Sequence, residues 1–147
     1  MYMEATGQNP GDRCQLLSHV LPNTGEDKCL YFDFSMKGKH PGTLVVRSHD
    51  NTQLWRKVGH IQRSPTVPSP NENMETWVRD SVTVPNDTTG FIFEASRGGY
   101  SLEDDVGDIA IDNLEVENGP CEGTTTIYYS NRFCSFIKSG FVVHNYY

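Results

Sequence analysis

Along much of this chain, apolar and polar residues alternate with a period of two. In Cys29-Leu-Tyr-Phe-Asp-Phe-Ser-Met36, the side chains of Leu30, Phe32, Phe34 and Met36 point one way and those of Tyr31, Asp33 and Ser35 the other. Such alternation marks a half-buried strand. Gly38, Pro41 and Gly42 supply a turn, and Thr43-Leu-Val-Val-Arg47 reads as the returning strand. Further strands are predicted over 53–58, 76–84, 90–96 and 108–116, bounded by turn chemistry such as Pro85-Asn-Asp-Thr-Thr-Gly90 and Arg97-Gly-Gly99. The segment 64–73 holds Pro65, Pro68 and Pro70, which cannot donate to a ladder, so it reads as an exposed loop. No stretch has the helical spacing of apolar residues. Short strands between frequent turns predict an all-β fold, an antiparallel β-sandwich or jelly roll. Residues 123–147 are aromatic and polar without a period. They are expected to be an unpacked tail or the stub of a following region.

Length and charge narrow the picture. A chain of 147 residues suffices for one domain with a core of its own, so no cofactor is required for folding. The net charge of −7, with no clustered basic stripe, argues against nucleic acid as a partner. No apolar run approaches the ~18–20 residues that span a bilayer. The first residues lack the basic and apolar regions of a signal peptide, so an export signal is expected outside this chain.

Catalytic chemistry finds no foothold. His19, His40, His49, His60 and His144 are scattered without metal-ligand spacing. Glu94-Ala-Ser-Arg-Gly98 approaches a nucleophile elbow, but Glu94 stands where the turn needs a small residue. Carboxylates do gather at Glu103, Asp104, Asp105, Asp108 and Asp112, without the calcium-loop pattern. Asp112 reads as sharing a strand face with Ala110, Leu114 and Val116, where an ionised carboxylate needs a partner. A cation, an arginine or several N–H donors each meet that need. Asn86-Asp-Thr88 is an N-glycosylation sequon in a predicted turn. The four cysteines Cys14, Cys29, Cys121 and Cys134 match no metal or redox motif and allow three disulfide connectivities.

Several segments, taken in order, resemble the MAM domain, a module of meprins, neuropilins and mu-type receptor tyrosine phosphatases. They begin with Tyr2-Met-Glu-Ala5, Cys14-Gln-Leu-Leu-Ser18 and Cys29-Leu-Tyr-Phe-Asp-Phe-Ser-Met-Lys-Gly38. Gly42-Thr-Leu-Val-Val46, Leu54-Trp55, Trp77 and Phe91-Ile-Phe-Glu-Ala95 follow. Arg97-Gly98, Gly107-Asp-Ile-Ala-Ile-Asp-Asn-Leu114 and Gly119-Pro-Cys121 complete the series, which covers residues 1–122. The resemblance implies a jelly-roll β-sandwich whose opening strands are missing here, and a Cys29–Cys121 disulfide of an oxidising compartment. Cys14 then reads as a buried small thiol, and Cys134 falls outside the domain. In some members the aspartate at the Asp112 position helps to bind a cation; Asp112, with Asp108 second, is the candidate ligand for a Ca²⁺ or Na⁺ ion.

The function implied is a non-catalytic extracellular module for protein–protein interaction or cell adhesion, in a membrane-anchored or secreted parent. Its partner would be a protein, homophilic or heterophilic. An accessory domain of an extracellular enzyme such as a meprin-like metalloprotease, or a carbohydrate-binding jelly roll using Trp55 or Trp77, are the alternatives. The loop 64–73 and the basic segment 47–60 are the candidate exposed faces. Missing opening strands would leave a sheet edge unpaired, and open edges invite other chains. Light scattering at equal concentration is expected to show more aggregation for this chain than for one with those strands restored; equal monodispersity would refute it.

Overall fold

The computed structural model describes residues 1–3, 7–38, 40–59, 77–99, 107–122 and 141–146. The alternating segments fold into β1 (Tyr2–Met3), β2 (Arg13–Ser18), β3 (Lys28–Met36), β4 (Thr43–Ser48) and β5 (Gln53–Val58). After these come β6 (Val78–Val84), β7 (Phe91–Ser96), β8 (Ile109–Asn118) and β9 (Phe141–Tyr146). No helix occurs among the described residues. One sheet has the order β1-β8-β3-β6 and the other β5-β4-β7-β2-β9. Every neighbouring pair is antiparallel. The first eight strands thus follow the jelly-roll order, with β9 added beside β2. β1 pairs through Tyr2↔Ala110 and Met3↔Ile109, a short contact beside the long β3–β8 ladder.

The predicted strands coincide with β3 to β8 to within two residues at either end. Strand β9 falls in the aperiodic region expected to be a tail or stub. Its backbone pairs with β2 from Arg13↔Tyr146 to Ser18↔Phe141. The proline-rich segment 64–73 lies outside the described residues, as do Cys134, Glu103, Asp104 and Asp105.

The core follows from the alternation. Leu30, Phe32 and Phe34 of β3 face Leu44 and Val46 of β4 and Phe91, Phe93 and Ala95 of β7, all buried. Phe32 lies at the centre, its ring edge-on to Phe93 at 5.1 Å and to Trp55 at 5.0 Å. Edge-to-face pairs of this kind add about 0.5–1.5 kcal/mol each beyond the area they bury. Trp55 is also edge-on to Phe34 at 5.3 Å, and its indole N–H donates to Asp80 at 3.1 Å. That bond satisfies the one polar atom the tryptophan brings inward.

The loops at one end of the sandwich lock together through glycines. A Cβ on Gly98 would lie 2.3 Å from the His40 carbonyl oxygen and 2.8 Å from the Gly42 nitrogen. A Cβ on Gly107 would overlap the Lys37 oxygen outright. These are backbone atoms on neighbouring loops, so a side chain there forces the loops apart. Gly119 differs: its φ is +97° but the space around it is open. Gly98→Ala is therefore expected to cost at least about 2–3 kcal/mol by overpacking. Gly119→Ala should cost only about 1 kcal/mol, from backbone strain alone. Denaturant titration of the two variants would expose the difference, and equal midpoints would contradict it.

Candidate interaction surface

Each site residue expected from the sequence has a definite place. Cys29, at the start of β3, is bonded to Cys121, which follows the end of β8, across a sequence separation of 92. The Cys121 N–H also donates to the Thr83 hydroxyl of β6 at 3.0 Å, so three strands meet at this link. Closing a loop of this length stabilises by about 4–5 kcal/mol on the chain-entropy view. Asn86 is exposed in the β6–β7 turn, and its side-chain amide donates to the Gly25 carbonyl at 3.3 Å. The sequon therefore sits at the same end of the sandwich as the disulfide.

The strand face expected for Asp112 is corrected by the structure. The pairing shifts between Tyr31↔Glu115 and Asp33↔Asp112, leaving one extra residue on β8. Asn113 takes it up with φ +50°, a left-handed conformation that asparagine tolerates better than most residues. This bulge reverses the alternation. Ile109 and Ile111 face inward before it and Leu114 packs against the core after it. Asp112 shares its face with Ala110 but not with Leu114 or Val116; it lies on the outer side, opposite Asp33. Its carboxylate accepts the Asn113 N–H at 2.8 Å. Burial pulls the pKa of the Met1 ammonium down, and the charge of Asp112 counters that pull. Asp108 exchanges backbone hydrogen bonds with Lys37. Among the described residues no three His, Cys, Asp or Glu side chains gather to hold a metal.

The bulge helps to define the outer face of the four-stranded sheet. The Asn113 amide donates to Asp33 at 2.7 Å. Arg79 of β6 reaches Glu115 at 2.6 Å and Asp33 at 3.6 Å, and its guanidinium lies 5.6 Å from the centre of the Tyr31 ring. Four carboxylates (Asp33, Asp112, Glu115 and Glu117) thus share this face with one guanidinium, that of Arg79, among the described residues. Glu115 and Glu117 are exposed.

The outer face of the five-stranded sheet has the opposite sign. Glu94 of β7 is 7% exposed, buried for a charged residue. It accepts the Gln15 amide at 2.8 Å and is flanked by Arg13 at 3.6 Å and Arg47 at 3.5 Å. Arg56, exposed and opposite Val45 in the β4–β5 register, lies on the same face. Three guanidiniums therefore accompany one carboxylate among the described residues. Leu17 and Ile92 lie half-buried between them, and Val45 is 5% exposed. The basic segment 47–60 foreshadows Arg47 and Arg56, but no motif singles out Glu94 as their hub. The signal was available: Phe91, Phe93 and Ala95 turn inward, which puts Glu94 outward between β2 and β4.

Cys14 of β2 is a half-buried free thiol packed against the core. Burial pushes its pKa up, and a hydrogen bond with the Ala95 backbone offsets this in part. The thiol is thus held in its unreactive protonated form. Trp55 is half-buried and packs against the core.

Glu94→Ala would leave two guanidiniums facing each other across an empty site. A loss of about 1–3 kcal/mol is expected, discounted for the exposure of Arg13. Adding Arg47→Ala should restore part of it. A double-mutant cycle by urea denaturation checks this, and strict additivity would refute the pairing.

A family model for the MAM domain, meprin/A5/mu, matches residues 1–122. MAM domain-containing protein 2 of Mus musculus is 33% identical over 129 residues, covering 84% of this chain and 16% of that protein. Thyroid hormone-induced protein B of Xenopus laevis is 30% identical over 132 residues, covering 85% and 17% respectively. MAM domain-containing glycosylphosphatidylinositol anchor protein 1 of Homo sapiens is 33% identical over 119 residues, covering 76% and 11%. The chain spans no more than 17% of the length of these relatives. Match, motif order, jelly-roll topology and the Cys29–Cys121 link agree, and the chain belongs to the MAM domain family.

Proposed function

We propose that this chain is an extracellular interaction module of the adhesion type, binding a protein partner through the outer faces of its sandwich. The observation that carries the reading is the disulfide-closed jelly roll of a MAM domain. Reducing compartments do not sustain such a link, so it points outside the cytosol. The name of one relative, a glycosylphosphatidylinositol anchor protein, supports a place at the cell surface. Lone carboxylates, a protonated thiol and core-facing aromatics offer no assembled nucleophile and base among the described residues, which favours binding over catalysis. Asn86, exposed beside the disulfide, is the proposed glycan acceptor; a glycan there would shield that end and leave the two sheet faces accessible.

The test uses the chain secreted from cultured eukaryotic cells and coupled to beads. Beads carrying the oxidised chain are expected to adhere to cell surfaces or to each other. Beads carrying a Cys29→Ser, Cys121→Ser double substitution should lose most of that adhesion. Enzymatic deglycosylation should lower the mass of the secreted chain and leave Asn86→Gln unchanged. Oxidised beads that adhere no more than the doubly substituted ones would overturn the reading.

A further inference from the structure

We infer that the two outer faces are complementary halves of one contact, so that the partner of this chain is a second copy stacked face to back. The inference rests on the interaction-module reading and adds the occupant. One broad face sets Asp33, Asp112, Glu115 and Glu117 against Arg79; the opposite broad face sets Arg13, Arg47 and Arg56 against Glu94. The chain as a whole carries a charge of −7, so a basic face is a local feature and not a reflection of composition. Neither face can pair with itself without setting like charges together, a cost that suppresses isologous docking. Each face suits the other. Because they are the outer sides of two packed sheets, they point away from each other, and the resulting contact is heterologous and open-ended.

Local structure readies both faces. Glu94, itself held by the Gln15 amide, pairs with Arg47 and Arg13, which lowers the ordering cost of presenting the Arg47 guanidinium in particular. Apolar Leu17 and Ile92, both half-buried, lie between the charges, giving the contact something to bury besides ions. On the acidic side, the Arg79–Tyr31 stack holds the Arg79 guanidinium down against the sheet, and the Met1 ammonium is tied to the Ile111 carbonyl at the edge of the face. Strand spacing and rise give each face a footprint of roughly 500 Å². That is below the ~800 Å² per partner of a standard interface, so the pairing is weak and depends on many copies side by side.

The experiment is sedimentation velocity of the full secreted, disulfide-bonded chain over a range of concentrations, with two variants. Arg56→Glu spoils the basic face and Glu117→Lys the acidic one; both residues are exposed, and each variant is first shown to melt like the wild type. The wild-type sedimentation coefficient is expected to rise with concentration in low salt. That rise should vanish at ~1 M salt, where the Debye length is about 3 Å. Each variant alone should self-associate at least tenfold more weakly. An equimolar mixture should form one-to-one pairs and little larger, because each variant retains the face that the other has lost. Wild-type behaviour in both variants, or a mixture no better than its components, overturns the proposal. Salt-insensitive association overturns it in favour of edge pairing. A monomer that is retained on heparin and released by Arg56→Glu overturns it in favour of an anionic glycan. If the chain stays monomeric while its beads still adhere to cells, self-pairing falls and the interaction-module reading stands; if the beads also fail, both fall.

Discussion

The contact of Phe32 with Phe93 and Trp55 across the sandwich sets the rest of the molecule. Phe32 lies on the central β3 strand, fully enclosed, with its ring edge-on to one residue from each of two strands opposite. Once it points inward, the pleat forces Tyr31 and Asp33 outward. A slip of one residue would bury the Asp33 carboxylate and expose two phenylalanines, so the register has little freedom. The chemistry of the outer face is thereby fixed by the packing of the inner one.

The same constraint propagates through β8. Its pairing with β3 must bring Ile109, Ile111 and Leu114 inward, yet their spacing is not uniformly even. The left-handed Asn113 absorbs the odd step and frees its amide for Asp33. A device needed for core packing thus becomes part of the charged surface. The opposite sheet shows a parallel case: a register shift between Val46 and Arg47 lets Leu54 and Trp55 both pack on the core while Arg56 stays outside.

How much of this is legible depends on whether the information is local. Strands β3 to β7 can be read because one face is apolar and the other is not, and the turns between them carry glycine, proline or, between β4 and β5, Asp50-Asn51. The bulge escapes a strict period of two carried through Asp112-Asn113. The gap from Ile111 to Leu114, three residues in a strand, is the sign of the extra one. Strand β9 escapes because Phe141-Val-Val-His-Asn-Tyr146 does not alternate and gains its ladder only from β2, more than 120 positions away. The hub at Glu94 draws on strands β2, β4 and β7, a juxtaposition that no local pattern encodes. The motif glycines are legible as a series, but their reason, loop backbones too close for any side chain, belongs to tertiary structure.

The Cys29–Cys121 link also determines how the domain would carry mechanical load. A pull applied through the polypeptide on either side enters β3 at Cys29 and leaves at Cys121 through the covalent bridge, bypassing the intervening chain across a sequence separation of 92. That bypass withholds roughly 300 Å of contour from extension. Strands β3 to β8 sit inside the bypass, while β1, β2 and β9 lie in the loaded path. Under tension the five-stranded sheet would shed β9 and β2 first, taking Arg13 and Gln15 away from Glu94. The acidic sheet would keep its three longest strands clamped. The domain would yield by a short, bounded lengthening on one side, a fuse with a hard stop.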